Sequence, residues 1–239
     1  TNDVIGKPSL ASLEDSITNW AQGSEKLLVY LVDHGQRDRF RMSGTGAGIQ
    51  AGSHWDESLC GTNGLGTALV TGRSVAVSGL EHYFLPLGDI SCTAAPIRDA
   101  HGSVVGVLDA SSYFESRQQH TLALVQMAAT HIENGLLAHQ MHNALVLAIH
   151  PRPEFLATLS AGLLAFDADG ALRAVNARGR QMLAGLETQP GSRFEQLFGE
   201  AFDRFLARLH ARDTVALRDT MGSALVARAV HRPPVAAMP

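Results

Sequence analysis

CGTNGLGTALVTG, residues 60–72, decides how this chain is read. Gly61, Gly64 and Gly66 crowd ahead of an apolar run, as they do in loops that cradle phosphate. A P-loop needs a Lys after its second Gly to neutralise phosphate, then a hydroxyl for magnesium. No Lys follows Lys26, and the nearby cation is Arg73. A dinucleotide fingerprint needs G-x-G-x-x-G directly after a strand. The order here is G-x-x-G-x-G, and the preceding SHWDESLC does not read as a strand. The phosphate reading fails on chemistry and on context. What remains is helix entry and close packing. Thr62 or Asn63 caps a helix over about 62–71, and Gly72 closes it. Glycine inside a helix costs ~1 kcal/mol against Ala. Two within one turn point to a close backbone approach.

Outward from that helix, the chain alternates short apolar runs with helical spacing. Before it, residues 9–21 carry Leu10, Leu13, Ile17 and Trp20 at helical spacing, KLLVYLVD (26–33) reads as a buried strand, and 35–53 as a loop. After it, SVAVS (74–78), SCTAAPIRD (91–99) and SVVGVLDASS (103–112) read as strands, the last two joined by the turn Asp99-Ala100-His101-Gly102. A long helix is expected from Ser116 to Ile149, and Pro151 and Pro153 then mark a domain boundary. In the second unit, GLLAFDADGALRAVN (162–176) reads as a hairpin, followed by helices over 176–186 and 200–212. TVALRD (214–219) and ALVARAV (224–230) close a second hairpin. The expected fold class is α+β with mainly antiparallel sheet. The divisions are 1–23 (helical segment), 24–150 (first domain with its long helix), 151–232 (second domain) and 233–239 (tail).

The composition fits this picture. Of 239 residues, 45% are hydrophobic and 18% charged, which is globular. The net charge of −4 offers no basic face, so no contact with nucleic acid or anionic lipid is expected. Two cysteines, Cys60 and Cys92, are no disulfide framework, and a reducing cytoplasm is the default. No run approaches the ~20 apolar residues of a membrane helix. The chain starts on Thr1 rather than Met, so a piece of a longer protein is expected.

Several stretches together carry a family resemblance. These are HWDESLCGTNGLGTALVTGRSVAVSGLEHY, SCTAAPIRDAHGSVVGVLDASS and HTLALVQMAATHIENGLL. With Trp55, Glu57, Gly61-Thr62-Asn63, Glu81-His82, Ala94-Ala95-Pro96-Ile97 and Gly106-Val107-Leu108-Asp109 in this order, the chain resembles the sensory GAF domain of sigma-54-dependent transcriptional activators, in the acetoin-catabolism activator subgroup. GLLAFDADGALRAVNARGRQML resembles the opening hairpin and helix of a PAS domain.

The resemblance implies a sensor that controls an AAA+ ATPase and a DNA-binding domain, both absent from this chain. It implies ligand binding and signalling by a homodimer, with no catalysis, no cofactor and no metal. A small alcohol, ketone or diol is the implied effector. The candidate lining comprises Trp55, Leu59, Cys60, His82, Tyr83, Phe84 and Cys92, since a pocket needs an apolar wall with a few placed polar groups. Trp55 also reads as a core aromatic. His82 either bonds a ligand or pins its own loop through Glu81. Of Tyr83 and Phe84, only one faces inward if the segment is extended, and Tyr83 is favoured. In the long helix Leu122, Val125, Ala129, Ile132, Leu136, His139 and Asn143 follow a heptad, as a parallel dimer seam would or as a helix packed along its own domain would. Two other functions compete: a GAF-fold methionine sulfoxide reductase using Cys60 and Cys92, and an iron-based gas sensor.

Overall fold

The computed structural model describes residues 27–32, 40, 41, 48, 49, 55–112 and 118–233. The helix expected over 9–21 and the tail beyond residue 233 lie outside the described residues. The chain divides into two units. One holds residues 1–98 with 104–132, and the other holds 99–103 with 133–239.

The first unit is built on the sheet β1-β6-β5-β4: β1 Leu27–Val32, β4 Val75–Ser78, β5 Ser91–Arg98 and β6 Val104–Ser112. A small ribbon pairs β2 Phe40–Arg41 with β3 Gly48–Ile49. In the sheet, β1 and β6 run parallel, while β4-β5 and β5-β6 are antiparallel. β5 is buried along nearly its whole length, which explains its continuous small and apolar sequence. It also tolerates Pro96, which has no N–H for a ladder. The pairing with β4 ends at Ala94, so no bond is lost on that side.

Two helices follow the β2–β3 ribbon: α1 Glu57–Cys60 and α2 Gly64–Thr71. Asn63 caps α2, its Oδ1 accepting the Gly66 N–H at 2.8 Å. Gly72 ends it in the left-handed conformation, φ 61°. The glycines answer the question their sequence raises. A Cβ on Gly64 would stand 2.7 Å from Cys92 Cβ, and one on Gly66 would stand 2.5 Å from the Trp55 carbonyl oxygen. They let α2 press onto β5 and onto the chain at 55–57. Leu65 and Ala68 of α2 then bury against Ala94 and Val107.

The long helix α3 spans Gln118–Gln140. The expectation that it runs to Ile149 is corrected: Leu145–His150 is a strand, β7. LVLAI is a continuous apolar run without helical period, and its alternate side chains are buried on opposite faces of a sheet. The division between units therefore falls within α3, ahead of Pro151. The dimer seam is corrected with it. Val125, Ala129 and Ile132 are buried by the chain itself, Leu122 and Leu136 are half-buried, and His139 is exposed. Asn143 is exposed and lies beyond the end of the helix.

The second unit is a five-stranded antiparallel sheet in the order β10-β11-β7-β8-β9. Its other strands are β8 Gly162–Phe166, β9 Leu172–Val175, β10 Thr214–Arg218 and β11 Ala224–His231. Three helices, α4 Ala177–Met182, α5 Phe194–Phe198 and α6 Phe202–Ala211, cover one face. Phe166, Phe194, Phe198, Phe202 and Phe205 fill the space between, with ring centroids 4.7–6.0 Å apart. The opposite face is lined by small residues, Ala148, Ala165 and Ala174, against Leu137 of α3. Asn176, the expected cap of α4, accepts from the Gly179 and Leu163 N–H groups and donates to the Asn134 side chain and the Ala161 carbonyl. All of its hydrogen-bonding groups are thereby used.

Candidate functional site

In the first unit, the interval between α2, the sheet and the chain before β5 encloses a cavity of about 10 Å3, room for a single water. Its wall is Trp55, Asn63, Gly64, Leu65, Leu87, Ile90, Cys92, Asp109 and Ser111. The HWDE stretch places the tryptophan. Asp56 caps α1 through the Ser58 N–H, and Glu57 accepts from the Thr67 hydroxyl at 2.8 Å. Asn63 Nδ2 donates to the Trp55 carbonyl at 3.1 Å. The indole is thus anchored by its backbone on both sides of the cap.

Polar groups meet at this wall in an otherwise apolar setting. Ser111 Oγ lies 2.7 Å from Asp109 Oδ2 and 3.1 Å from Cys92 Sγ. His82 Nε2 lies 3.4 Å from the same sulfur, and His82 Nδ1 lies 3.0 Å from the Gly79 carbonyl. Burial pushes the Asp109 carboxyl up to about 7, although the Ser111 hydroxyl opposes the shift. Burial and the nearby Asp109 charge push the Cys92 thiol up to about 12. Burial lowers the His82 imidazole, against the Gly79 hydrogen bond and the Glu81 charge. Trp55 Nε1, Ser91 Oγ and Asp109 Oδ1 are buried without a partner among the described residues. Such atoms are rare and ask for an explanation.

Of the residues predicted from sequence, Trp55 and Cys92 line the cavity. His82 is buried behind Cys92. It pins its loop through Gly79, while Glu81 turns back to cap the Ser78 N–H. Cys60 is half-buried outside the wall. Leu59, Tyr83 and Phe84 are corrected as lining residues: they are 72%, 77% and 50% exposed. The alternation argument for Tyr83 fails because Tyr83 and Phe84 both face outward, and it is His82 before them that is buried. Residues 82–84 only bridge two short 3-10 turns, Gly79–Glu81 and Leu85–Leu87. Tyr83 instead covers Gly61, where an added Cβ would collide with the Cβ, Cγ and Cδ1 of the tyrosine.

Sequence reasoning missed Asp109 and Ser111 as site residues. The signal was present in SVVGVLDASS, where one acid interrupts an apolar strand. Acids are almost never fully buried without a purpose or a partner. The reductase reading loses its chemistry here, because a buried thiol raised to about 12 is the reverse of an activated nucleophile. Among the described residues, no group of three His, Cys, Asp or Glu side chains is arranged to hold a metal ion. No described helix is long and apolar enough to cross a membrane.

The GAF domain family matches residues 22–136. The acetoin catabolism regulatory protein of Cupriavidus necator is 35% identical over 64% of this chain and 24% of its own length. The acetoin dehydrogenase operon transcriptional activator AcoR of Bacillus subtilis is 36% identical over 40% of this chain and 16% of its own. The propane 2-monooxygenase operon transcriptional activator MimR of Mycolicibacterium smegmatis is 36% identical over 37% and 15%. The chain thus spans about a quarter or less of the curated relatives it matches. Among solved structures, the E. coli DhaR(N)–DhaL complex is similar at 17% identity and a TM-score of 0.37, over 77% of this chain and 69% of that one. These relatives are named as transcriptional regulators, not as enzymes. Residues 22–136 of this chain thus match the GAF domain family, and the relatives it resembles are named as regulators of transcription.

Proposed function

We propose that this chain is the ligand-sensing region of a sigma-54-dependent transcriptional activator, which binds a small neutral metabolite in the GAF cavity and controls an AAA+ ATPase elsewhere in the full-length protein. One observation carries the reading. Trp55 and Asp109 line the same cavity, and a donor of the one, Nε1, and an acceptor of the other, Oδ1, are buried with no partner among the described residues. A molecule with one hydroxyl, or a hydroxyl beside a carbonyl, satisfies both. That is the chemistry of the alcohol, ketone or diol expected from the resemblance. A cavity of about 10 Å3 requires the wall to open for such a molecule. Leu87 and Ile90 are the lining residues that lie on the connection ahead of β5 rather than on the sheet or α2, and opening is assigned to that connection.

The second unit reads as a PAS-like transmitter. Its interior is filled with phenylalanine rings rather than placed polar groups, which favours a structural or dimerising role. A homodimer remains part of the proposal, on a different face of α3 from the expected seam. Leu124 and Met127 are 65% and 55% exposed there. Light scattering at micromolar concentration tests it, and a monomer overturns it.

The test of the ligand reading is a thermal-shift screen with small alcohols, ketones and diols. A ligand at 100 times its dissociation constant adds ~2.7 kcal/mol of stability. Trp55→Phe keeps the wall but removes the indole donor, and is expected to abolish most of the shift. A screen in which no such compound raises the melting temperature overturns the reading.

A further inference from the structure

We propose that Asp109, Ser111, Cys92 and His82 form one directional hydrogen-bond chain, which holds Asp109 as a neutral acid in the cavity wall and makes His82 the positioning residue that sets this state. The proposal deepens the ligand reading above and rests on it for its role in sensing.

Counting hydrogens fixes the direction. The Gly79 carbonyl can only accept, so the nitrogen 3.0 Å from it, His82 Nδ1, carries a hydrogen. A neutral imidazole then presents a bare Nε2, which can only accept. Its neighbour is the Cys92 sulfur at 3.4 Å, so the thiol hydrogen points to His82. The sulfur is left as an acceptor, for the Gly64 N–H and for the Ser111 hydroxyl. Ser111 has one hydrogen. Given to Cys92 at 3.1 Å, it leaves the serine oxygen to accept from Asp109 Oδ2 at 2.7 Å. Asp109 can supply that hydrogen only as a carboxylic acid. Every hydrogen of the chain has an acceptor in this order, Asp109 Oδ1 alone being left for a ligand, and the burial that raises the carboxyl and lowers the imidazole favours the neutral forms it needs. With Asp109 ionised, the serine hydrogen turns to the carboxylate and the link to Cys92 is lost. Among the described residues, the titratable groups that act on the chain are its own members and Glu81, whose charge acts on His82.

The consequence for recognition is a wall without charge. Asp109 Oδ1 accepts a ligand hydroxyl but does not bind a cation, and a carboxylate brings it no hydrogen. The chain also ends at Gly79, on the connection between β4 and β5 that carries Leu87 and Ile90 of the wall.

Infrared difference spectroscopy on the unliganded protein tests the chain. The carboxylic-acid carbonyl band that disappears in Asp109→Asn is expected to persist at pH 6. Cys92→Ala strands the Ser111 hydrogen unless it turns to an ionised Asp109. That variant is expected to lower the pH at which the band halves by about one pH unit, a tenfold change in ionisation constant. His82→Phe is expected to move it the same way, because the freed thiol hydrogen can turn back to Ser111. Cys92→Ser restores both a donor and an acceptor, and is expected to return the midpoint towards wild type. A merely structural role for Cys92 makes Ala and Ser equivalent, and that result overturns the proposal. So does absence of the band at pH 6. A protein that shows the band and its rescue but answers no metabolite upholds the chain and fails the ligand reading. One that answers a metabolite but lacks the band overturns the chain alone.

Discussion

Gly64 stands directly against the partnerless oxygen of Asp109: a Cβ added to the glycine would lie 2.9 Å from Asp109 Oδ1. The glycine at the start of α2 is therefore a condition for burying this acid. Three more atoms constrain the neighbouring glycine. A Cβ on Gly66 would meet the Trp55 carbonyl at 2.5 Å, and Asn63 Nδ2 and the Glu57 backbone nitrogen at 2.9 Å.

Gly66→Ala is expected to destabilise by roughly 1–3 kcal/mol, because backbone atoms must move. Gly135→Ala is the matched control. It lies mid-helix in α3 with nothing within 4 Å of an added Cβ. There the substitution is expected to stabilise by ~1 kcal/mol through helix propensity. Urea unfolding of the two variants reads the opposite signs.

The pH dependence of Asp109→Asn follows from linkage. The folded carboxyl titrates near 7 and its ordinary value is 3.8. Between those values the folded state binds more protons than the unfolded state, so wild-type stability falls as pH rises through this window. The amide of the variant does not titrate. The melting temperature of the variant relative to wild type is expected to rise from pH 5 to pH 8. His82 gives the opposite slope below its ordinary value of 6.5, where the unfolded state takes up the proton first. Paired melts of Asp109→Asn and wild type isolate the Asp109 part. A difference that is flat with pH overturns the assignment.

Thiol labelling is expected to separate the two cysteines. Cys92 is buried, bonded to Ser111 and His82, and raised to about 12. Reaction requires the thiolate and access to it. Cys60, half-buried at the end of α1, is expected to react first with iodoacetamide at neutral pH, and peptide mass mapping shows which site carries the label. Ligand that closes the cavity should slow Cys92 further without changing Cys60.

In the second unit, Phe205→Ala is expected to cost about 3–5 kcal/mol, the range for removing a fully buried ring. Asn176→Ala removes the α4 cap and leaves the Leu163 and Gly179 N–H groups and the Ala161 carbonyl buried with fewer partners. A loss of roughly 2 kcal/mol or more is expected, since buried unsatisfied groups cost about 1–3 kcal/mol each. Denaturant midpoints check both.

Local chemistry made much of the fold legible. The glycine stretch, its Asn63 cap and the Gly72 stop obey rules that act within a few residues, so they were readable directly. The hairpin turns at Asp99–Gly102 and Asp167–Gly170 were readable for the same reason. β7 was not, because a short apolar run is compatible with both a helix and a buried strand. Only pairing with β8 and β11, which lie 12 or more residues away, decides it.

The site divides along the same line. Sequence by itself determined the GAF resemblance, the helix entry beside Trp55, and the presence of Cys92 and His82 near it. Tertiary structure alone decided that Leu59, Tyr83 and Phe84 face outward, and that Asp109 and Ser111 of β6 meet Cys92 of β5. The physical reason is register. Cys92 stands opposite Ser111 because of how two antiparallel strands pair. That pairing is what removes Asp109 from water and brings the Ser111 hydroxyl to one of its oxygens.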